Sequence, residues 1–281
     1  MPLKITTLIE NSIQEEPSGI REGLRCEHGL SFLIEKEGRT ILFDTGQSGA
    51  FIENAVQLGV DLGMVESVVI SHGHYDHAGG LPALIEKYDS FHLYLGDGFF
   101  KKKYSFKNGE YNYKGTPFDE EFLKEKGIKY SFIKGSTTEL IPGVHILTSF
   151  ERTHEDEGIN PRFKILQDGE YVQDYFTDEL LIAVEMEVGM VVLLGCSHPG
   201  VRNMLDTVKS RFDKPIHAVI GGTHLIDAHG ESLERSLNYL KDGEMGLVGV
   251  SHCTGKSAMA VLDGLGSRFF HNNTGSILFF E

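Results

Sequence analysis

The chain has 281 residues, of which 40% are hydrophobic and 24% are charged, and its formal net charge is −15 at pH 7. This composition is typical of a globular protein with a large core, and the acidic balance argues against nucleic acid or an anionic membrane as the main partner. Three widely spaced cysteines indicate reduced thiols rather than a disulfide framework. The sequence shows neither a signal peptide nor an apolar run of transmembrane length, so we predict a cytoplasmic protein.

Short strands and helices are predicted to alternate along the chain, because short apolar runs are separated by glycine-containing turns and amphipathic segments. The predicted strands include 5–9, 29–35, 40–44, 65–71, 92–95, 180–187, 190–194, 218–220 and 246–250. The predicted helices include 51–58, 120–126, 201–211, 232–240 and 257–265. No linker separates the two halves, so we predict a single domain over 1–281, with polar excursions at 98–118 and 151–180.

The first excursion is basic and aromatic, since Lys101, Lys102 and Lys103 are followed by several tyrosines and phenylalanines. It is either a solvated surface segment or a lid that offers aromatic surface and positive charge to an anionic, ring-bearing ligand. One such tract in an acidic chain is weak evidence for nucleic-acid binding. Lys102 is a candidate contact to a substrate phosphate.

Four residues of metal-ligand type follow the strand predicted at 65–71, in the motif His72-Gly-His74-Tyr-Asp76-His77. His72 and His74 are two residues apart in an extended segment and project to the same side, whereas Asp76 and His77 lie where the chain turns into a helix. Imidazole nitrogens and a carboxylate oxygen are ligands for zinc, iron or manganese. Two differently directed groups of ligands favour two adjacent metal ions over one.

This motif, His-x-His-x-Asp-His after a hydrophobic strand, resembles the signature of the metallo-β-lactamase superfamily. The resemblance implies an α/β fold, the four-layer αββα sandwich of the metallo-β-lactamase type, with the metal site at one edge of the two sheets. It also implies two divalent metal ions; we predict zinc, with manganese, iron and magnesium as alternatives. Asp44, which ends the strand 40–44, matches a family aspartate that orients the metal ligands.

The segment Gly195-Cys196-Ser197-His198 departs from the family pattern. The superfamily usually ends this strand with Gly-Asp, and that aspartate bridges both metals. Here Cys196 occupies its position, so either Cys196 supplies a sulfur ligand or it lines the site and His198 coordinates. We favour His198, and a Cys196 thiolate would favour zinc over harder ions. Because the bridging aspartate is missing, we do not predict β-lactam hydrolysis.

Two later strand ends also carry histidines. His224 follows a pair of glycines, which suggests close backbone approach, and we predict that it contacts substrate phosphate or acts as a general acid. His252 follows the final core strand and matches the family's last metal ligand. Thr254 and Lys256 open the next helix and are candidate substrate-binding residues for an anion.

The family's remaining ligand is a histidine between the first cluster and the strand that ends near residue 196. His154 is the only histidine in 151–180, and we take it as a tentative ligand although its surroundings do not match the usual motif. If His154 is not a ligand, His198 takes that place. Asp76 and His224 are the residues that we predict to move protons.

Three segments, Gly195–Gly200, Gly221–Leu225 and Ser251–Gly255, resemble the dihydropterin synthase-like branch of the superfamily. Three kinds of function follow. A metal-bound hydroxide would hydrolyse a small phosphorylated or ester substrate; or the protein would join a dihydropterin pyrophosphate to an aryl amine phosphate; or it would keep metals as a binding or sensor protein without turnover. In each case the predicted partner is a small anionic molecule, phosphorylated or pterin-like.

Overall fold

The computed structural model describes residues 2–13, 23–242 and 244–281. The strands of the described chain are β1 (Leu3–Ile9), β2 (Ser31–Lys36), β3 (Arg39–Phe43), β4 (Ser67–Val69), β5 (His92–Gly96), β6 (Lys103–Lys107), β7 (Glu110–Tyr113), β8 (Lys129–Ile133), β9 (Thr137–Ile141), β10 (Val144–Leu147), β11 (Phe163–Gln167), β12 (Glu170–Gln173), β13 (Leu181–Met186), β14 (Gly189–Leu194), β15 (Ile216–Gly222), β16 (Leu247–Ser251) and β17 (Ile277–Phe280). The α-helices are α1 (Ala50–Gln57), α2 (Tyr75–Ala78), α3 (Leu81–Ile85), α4 (Glu120–Glu125), α5 (Val201–Phe212), α6 (Gly230–Asp242) and α7 (Lys256–Leu262). Within the described ranges, none of these helices is long and apolar enough to cross a membrane.

The chain divides into two compact units. The first unit contains residues 1–133, 161–174 and 273–281, and the second contains residues 134–160 and 175–272. Each unit has its own sheet and its own apolar core. The single domain over residues 1–281 stays a prediction.

A seven-stranded sheet forms the frame of the first unit, in the order β17-β1-β2-β3-β4-β5-β8. Strands β17, β1, β2 and β3 pair antiparallel, whereas β3, β4, β5 and β8 pair parallel. Because β3 and β4 are parallel neighbours, the loops that follow them leave from the same edge of the sheet. These loops carry Asp44 and the His72–His77 motif.

Helices α1, α3 and α4 pack on this sheet through one apolar core. Pro82 lies in the first turn of α3, where its missing N–H costs no helical hydrogen bond. Fully buried members of this core are Leu8, Leu42, Phe51, Val68, Leu84, Leu93 and Leu123. Burying each such side chain contributes about 1.5–3 kcal/mol.

A second, four-stranded sheet in the first unit has the order β12-β11-β6-β7 and is antiparallel throughout. It is built from parts of both predicted excursions, because β6 and β7 come from 98–118 and β11 and β12 from 151–180. Phe106, Tyr111 and Tyr113 of this sheet are exposed. Lys103, by contrast, is buried, and its ammonium lies 2.8 Å from the Asp174 carboxylate.

The second unit contains a six-stranded sheet in the order β16-β15-β14-β13-β10-β9. The predicted strands at 180–187 and 190–194 are confirmed as the antiparallel pair β13 and β14. Strands β14, β15 and β16 are parallel, with α5 and α6 as the connections between them. Their following loops therefore leave from one edge of the sheet and carry Cys196, His198, His224 and His252.

Candidate functional site

The His72–His77 motif occupies the loop after β4 and the short helix α2, and its four candidate ligands are all buried. Nε2 of His72 lies 3.0 Å from Nδ1 of His74, and Nε2 of His77 lies 3.8 Å from Oδ2 of Asp76. The motif thus presents donor atoms in two pairs, one from His72 and His74 and one from Asp76 and His77.

The donor set of this motif fits a divalent metal ion. In a tetrahedral site with nitrogen and oxygen ligands about 2.0–2.2 Å from the ion, neighbouring donors are about 3.4 Å apart, which lies between the two separations observed here. Burial, helped by the neighbouring rings of His77 and His74, holds the pKa of His72 well below its usual value. The His72 imidazole is therefore neutral near pH 7, which is the form that binds metal.

Asp44 orients this cluster from the end of β3. Its Oδ2 lies 2.6 Å from Nδ1 of His77, and its Oδ1 accepts the main-chain N–H of Ser71 at 2.7 Å. The Ser71 hydroxyl donates to Oδ2 at 2.8 Å. β4 ends at Val69, earlier than the predicted 65–71 strand, and the Ser71 N–H goes to a side chain instead of a neighbouring strand. Asp44 thus contacts one candidate ligand directly, and its role in orienting the metal ligands stays a prediction.

His28 was not identified from the sequence as part of this cluster. Its Nε2 lies 3.1 Å from Oδ2 of Asp76, and its side chain is 54% exposed. A lone histidine in a polar loop carries no sequence signal for such a contact.

The strand ends of the second unit also gather metal-ligand residues. Cys196, His198 and His224 each offer a donor atom within 4.8 Å of the other two, and Cys196, His252 and Cys253 form a second such group. The rings of His198 and His224 are 4.3 Å apart between centroids. Cys196 belongs to both groups, and Cys253 was not singled out from the sequence.

At four strand ends, one in the first unit and three in the second, a non-glycine residue adopts a left-handed backbone conformation. The φ angles are 62° at Asp44, 62° at Ser197, 52° at His224 and 54° at His252. Such a conformation costs of order 1–3 kcal/mol at each residue and clusters at functional sites. In each case the strained residue is a candidate functional residue or lies directly beside one.

Hydrogen bonds tie the strand-end loops of the second unit together. The Ser197 hydroxyl donates to the Gly222 carbonyl at 2.8 Å, and the Thr223 hydroxyl donates to Oγ1 of Thr254 at 2.9 Å. The close backbone approach suggested by the two glycines is also visible. A side chain on Gly221, whose φ is +113°, would come within 2.1 Å of the Leu194 carbonyl oxygen, so only glycine fits there.

His154 lies in a different network of the second unit. Its Nε2 is 2.7 Å from the Asp206 carboxylate, and its main-chain N–H donates to Oδ1 of Asn203 at 2.8 Å. Among the residues that the structure describes, His154 belongs to no group of potential metal ligands. The structure therefore does not bring the tentative ligand His154 together with the second unit's other candidates.

The three predicted substrate-binding residues lie in different surroundings. Lys102 and Lys256 are both exposed; Lys102 directly precedes β6, and Lys256 is the first residue of α7. Thr254 is fully buried, with its hydroxyl accepting from Thr223. Thr254 thus joins two strand-end loops, whereas the two lysines are exposed.

The loops after the parallel strands carry imidazole, carboxylate and thiol groups. These groups are typical metal ligands, and this position is typical of functional sites in α/β proteins. Residues 24–166 match the family description "Metallo-beta-lactamase superfamily", and the chain belongs to this superfamily. The resemblance given by the His72–His77 motif is therefore confirmed. Membership implies divalent metal binding, in agreement with the two donor groups of the second unit.

The chain is similar over most of its length to two proteins of Methanocaldococcus jannaschii. It is 29% identical to the 7,8-dihydropterin-6-methyl-4-(beta-D-ribofuranosyl)-aminobenzene-5'-phosphate synthase, with 91% of this chain and 90% of the relative covered. It is 28% identical to an uncharacterised protein, with 90% and 93% covered. These similarities support the branch of the superfamily that the strand-end motifs indicated.

The solved structures agree with this assignment. A metal-dependent hydrolase of the beta-lactamase superfamily superimposes with a TM-score of 0.84 and 29% identity, covering 98% of both chains. A diphosphatase of the PhnP family has a TM-score of 0.55 and 14% identity, which shows the fold alone. The predicted metallo-β-lactamase fold is thus confirmed.

Proposed function

We propose that the protein is a metal-dependent hydrolase of a small phosphorylated or ester substrate. The observation that carries this proposal is the pairing of the donors His72 with His74 and Asp76 with His77, beside a buried carboxylate that orients one of them. The similarity to a metal-dependent hydrolase over 98% of the chain supports it. Two divalent ions, with zinc as the first choice, are the proposed cofactors, and His198 and His252 of the second unit are further candidate ligands.

The roles of individual side chains follow from their contacts. When bound, divalent ions supply Lewis acidity and make water acidic enough to act as a nucleophile near neutral pH. Asp44 fixes the ring of His77, so that Nε2 of His77 is directed away from the carboxylate and is available as a ligand. In this proposal Asp76 passes a proton to the exposed imidazole of His28, whose Nε2 lies 3.1 Å from its carboxylate.

We assign His224 as the proton donor to the leaving group. Its Nδ1 lies 3.4 Å from the Asp227 carboxylate. The exposed Lys102 and Lys256 remain the proposed contacts to substrate phosphate. A cation at either position would attract an anionic substrate to a protein whose overall charge is negative.

The experiment combines metal analysis with hydrolysis assays. The purified protein is expected to contain zinc or another divalent ion by elemental analysis, and to hydrolyse p-nitrophenyl phosphates or esters in a chelator-sensitive manner. Activity that persists after complete metal removal would contradict the proposal. Metal binding without turnover of either substrate class would favour the binding or sensor protein instead.

A transferase is the second candidate, and a specific observation favours it. The named relative that is 29% identical over 91% of this chain is a synthase, not a hydrolase. The test is to incubate the protein with a dihydropterin pyrophosphate, with and without an aryl amine phosphate, and to identify the products by mass spectrometry. A coupled product that requires the amine supports transfer, whereas release of pyrophosphate at the same rate without amine supports hydrolysis.

A further inference from the structure

The second unit places two cysteines together at its strand ends. Cys196 follows β14, and Cys253 lies in the 3-10 turn His252–Thr254 directly after β16. Sγ of Cys196, Sγ of Cys253 and a ring nitrogen of His252 all lie within 4.8 Å of one another. Both cysteines are buried, 3% and 7% exposed, and neither forms a disulfide.

The separations of these donors suit one metal ion. With zinc–sulfur distances of about 2.3 Å and zinc–nitrogen distances of about 2.0–2.1 Å, donors in a tetrahedral site are about 3.4–3.8 Å apart. The donor atoms, now within 4.8 Å of one another, therefore need to approach by at most about 1.4 Å to reach these separations. Because Cys196 also lies within 4.8 Å of ligand atoms of His198 and His224, its sulfur is common to both donor groups of this unit.

Main-chain groups around Cys253 fix the position of its sulfur. The main-chain N–H of His224 donates to Sγ of Cys253 at 3.2 Å. A side chain on Gly222 would come within 2.7 Å of the same sulfur and within 2.3 Å of the Gly195 carbonyl oxygen. The absence of a side chain at Gly222 thus leaves the space that Sγ of Cys253 occupies. The strand-end loops therefore fix the position of this sulfur.

We propose that Cys196 and Cys253 bind a metal ion as thiolates, with His252 as the third ligand, and that this set selects thiophilic ions over magnesium and manganese. The inference rests on the proposed metal-dependent function and adds the identity of two ligands. Each thiol releases one proton to solvent when the ion binds, and no oxidation or reduction takes place. Soft sulfur donors favour zinc, cobalt and cadmium over ions that prefer oxygen.

Cobalt substitution tests this proposal by a signal that does not depend on activity. The metal-free protein is titrated with Co²⁺ under anaerobic conditions, and both the visible d–d bands and the near-ultraviolet sulfur-to-cobalt charge-transfer band are recorded. The wild type is expected to show both. Removing one of two thiolates in Cys253→Ser is expected to lower the charge-transfer intensity by roughly half, and Cys196→Ser by at least as much. Cys26→Ser is the matched control, since Cys26 is exposed and lies in the first unit.

The outcomes separate this inference from the proposed function. Visible d–d bands without a charge-transfer band, or a band of full intensity in Cys253→Ser, would overturn the sulfur ligation and leave a metal-dependent enzyme in place. Absence of any cobalt binding would overturn both. Should the serine variants fail to fold, cadmium NMR of the wild type decides the question, because the cadmium resonance moves downfield with thiolate ligands; an oxygen- and nitrogen-type shift would overturn the proposal.

Discussion

Oδ2 of Asp44 lies 2.6 Å from Nδ1 of His77, and both side chains are completely buried. The other oxygen of Asp44 accepts the Ser71 N–H, so the carboxylate cannot rotate without losing a second hydrogen bond. A carboxylate that accepts from Nδ1 of a histidine fixes the tautomer and raises the basicity of the opposite nitrogen. Asp44 therefore holds the ring of His77, which we propose as a metal ligand, in one orientation.

Replacing Asp44 by asparagine keeps the shape of the side chain and removes its charge. We expect Asp44→Asn to weaken zinc binding by about 10–100-fold, as is typical when the outer partner of a metal-binding histidine is changed. The dissociation constant is measured by competition with a chromophoric chelator. Asp89→Asn, at an exposed surface position, is the control and should bind as the wild type does. Equal affinities in the two variants would show that Asp44 has no orienting role.

His74→Ala tests the donor pair formed with His72. Loss of a direct ligand should cost more than loss of an outer partner, so we expect at least about a 100-fold lower metal affinity and a comparable loss of any metal-dependent activity. Both quantities are measured on the same preparation, by chelator competition and by the hydrolysis assay. His92→Ala is the control, because the His92 ring bonds to Ser131 and His92 belongs to no ligand group of the described chain. Full activity in His74→Ala would refute the metal mechanism.

The local features of the fold could be predicted because short-range patterns determine them. The hydrophobic run ending in the His72–His77 motif indicated both a strand and the candidate ligands that follow it, and the β13–β14 pair follows from two apolar runs around Gly189. Periodicity and turn residues carry such information. Strand ends collect functional groups in α/β proteins, and Asp44 and His252 were predicted as site residues there because they match positions of the superfamily.

Contacts between distant segments could not be predicted in this way. The pairing of β6 with β11 joins segments about 60 residues apart, and nothing in either tract specifies the other. Lys103 was grouped with its exposed neighbours, because a lysine is rarely buried without a partner and Asp174 is far away in sequence. The position of Cys253 next to Cys196 depends on the parallel order of β14, β15 and β16, which a single sequence does not reveal.

His154→Gln distinguishes a metal ligand from a structural residue. The His154 ring bonds to Asp206, so we expect the variant to lose about 1–2 kcal/mol of unfolding free energy and to keep its full metal content. Urea denaturation and elemental analysis measure these two effects. Asp206→Asn should lower stability to a similar extent, and the double variant should cost less than the sum of the two single variants. Loss of metal in His154→Gln at unchanged stability would identify His154 as a ligand after all.

Replacing one partner of the buried ion pair between Lys103 and Asp174 is expected to lower the unfolding free energy more than the other substitutions proposed above. The two side chains are 2% and 5% exposed, with Nζ and Oδ2 2.8 Å apart. Lys103→Met removes the ammonium that neutralises a buried carboxylate, so it should lower the unfolding free energy by about 3–5 kcal/mol. Because an apolar pair avoids the uncompensated charge, the double variant Lys103→Met with Asp174→Leu should be less destabilised than Lys103→Met alone.

Lys4→Met is the control for this prediction. Lys4 and Glu35 form an ion pair at 2.6 Å, and their side chains are 32% and 38% exposed. Breaking this pair should cost no more than about 1 kcal/mol. Urea denaturation of the four proteins measures these differences, and equal costs for Lys103→Met and Lys4→Met would mean that the first pair is solvated in solution.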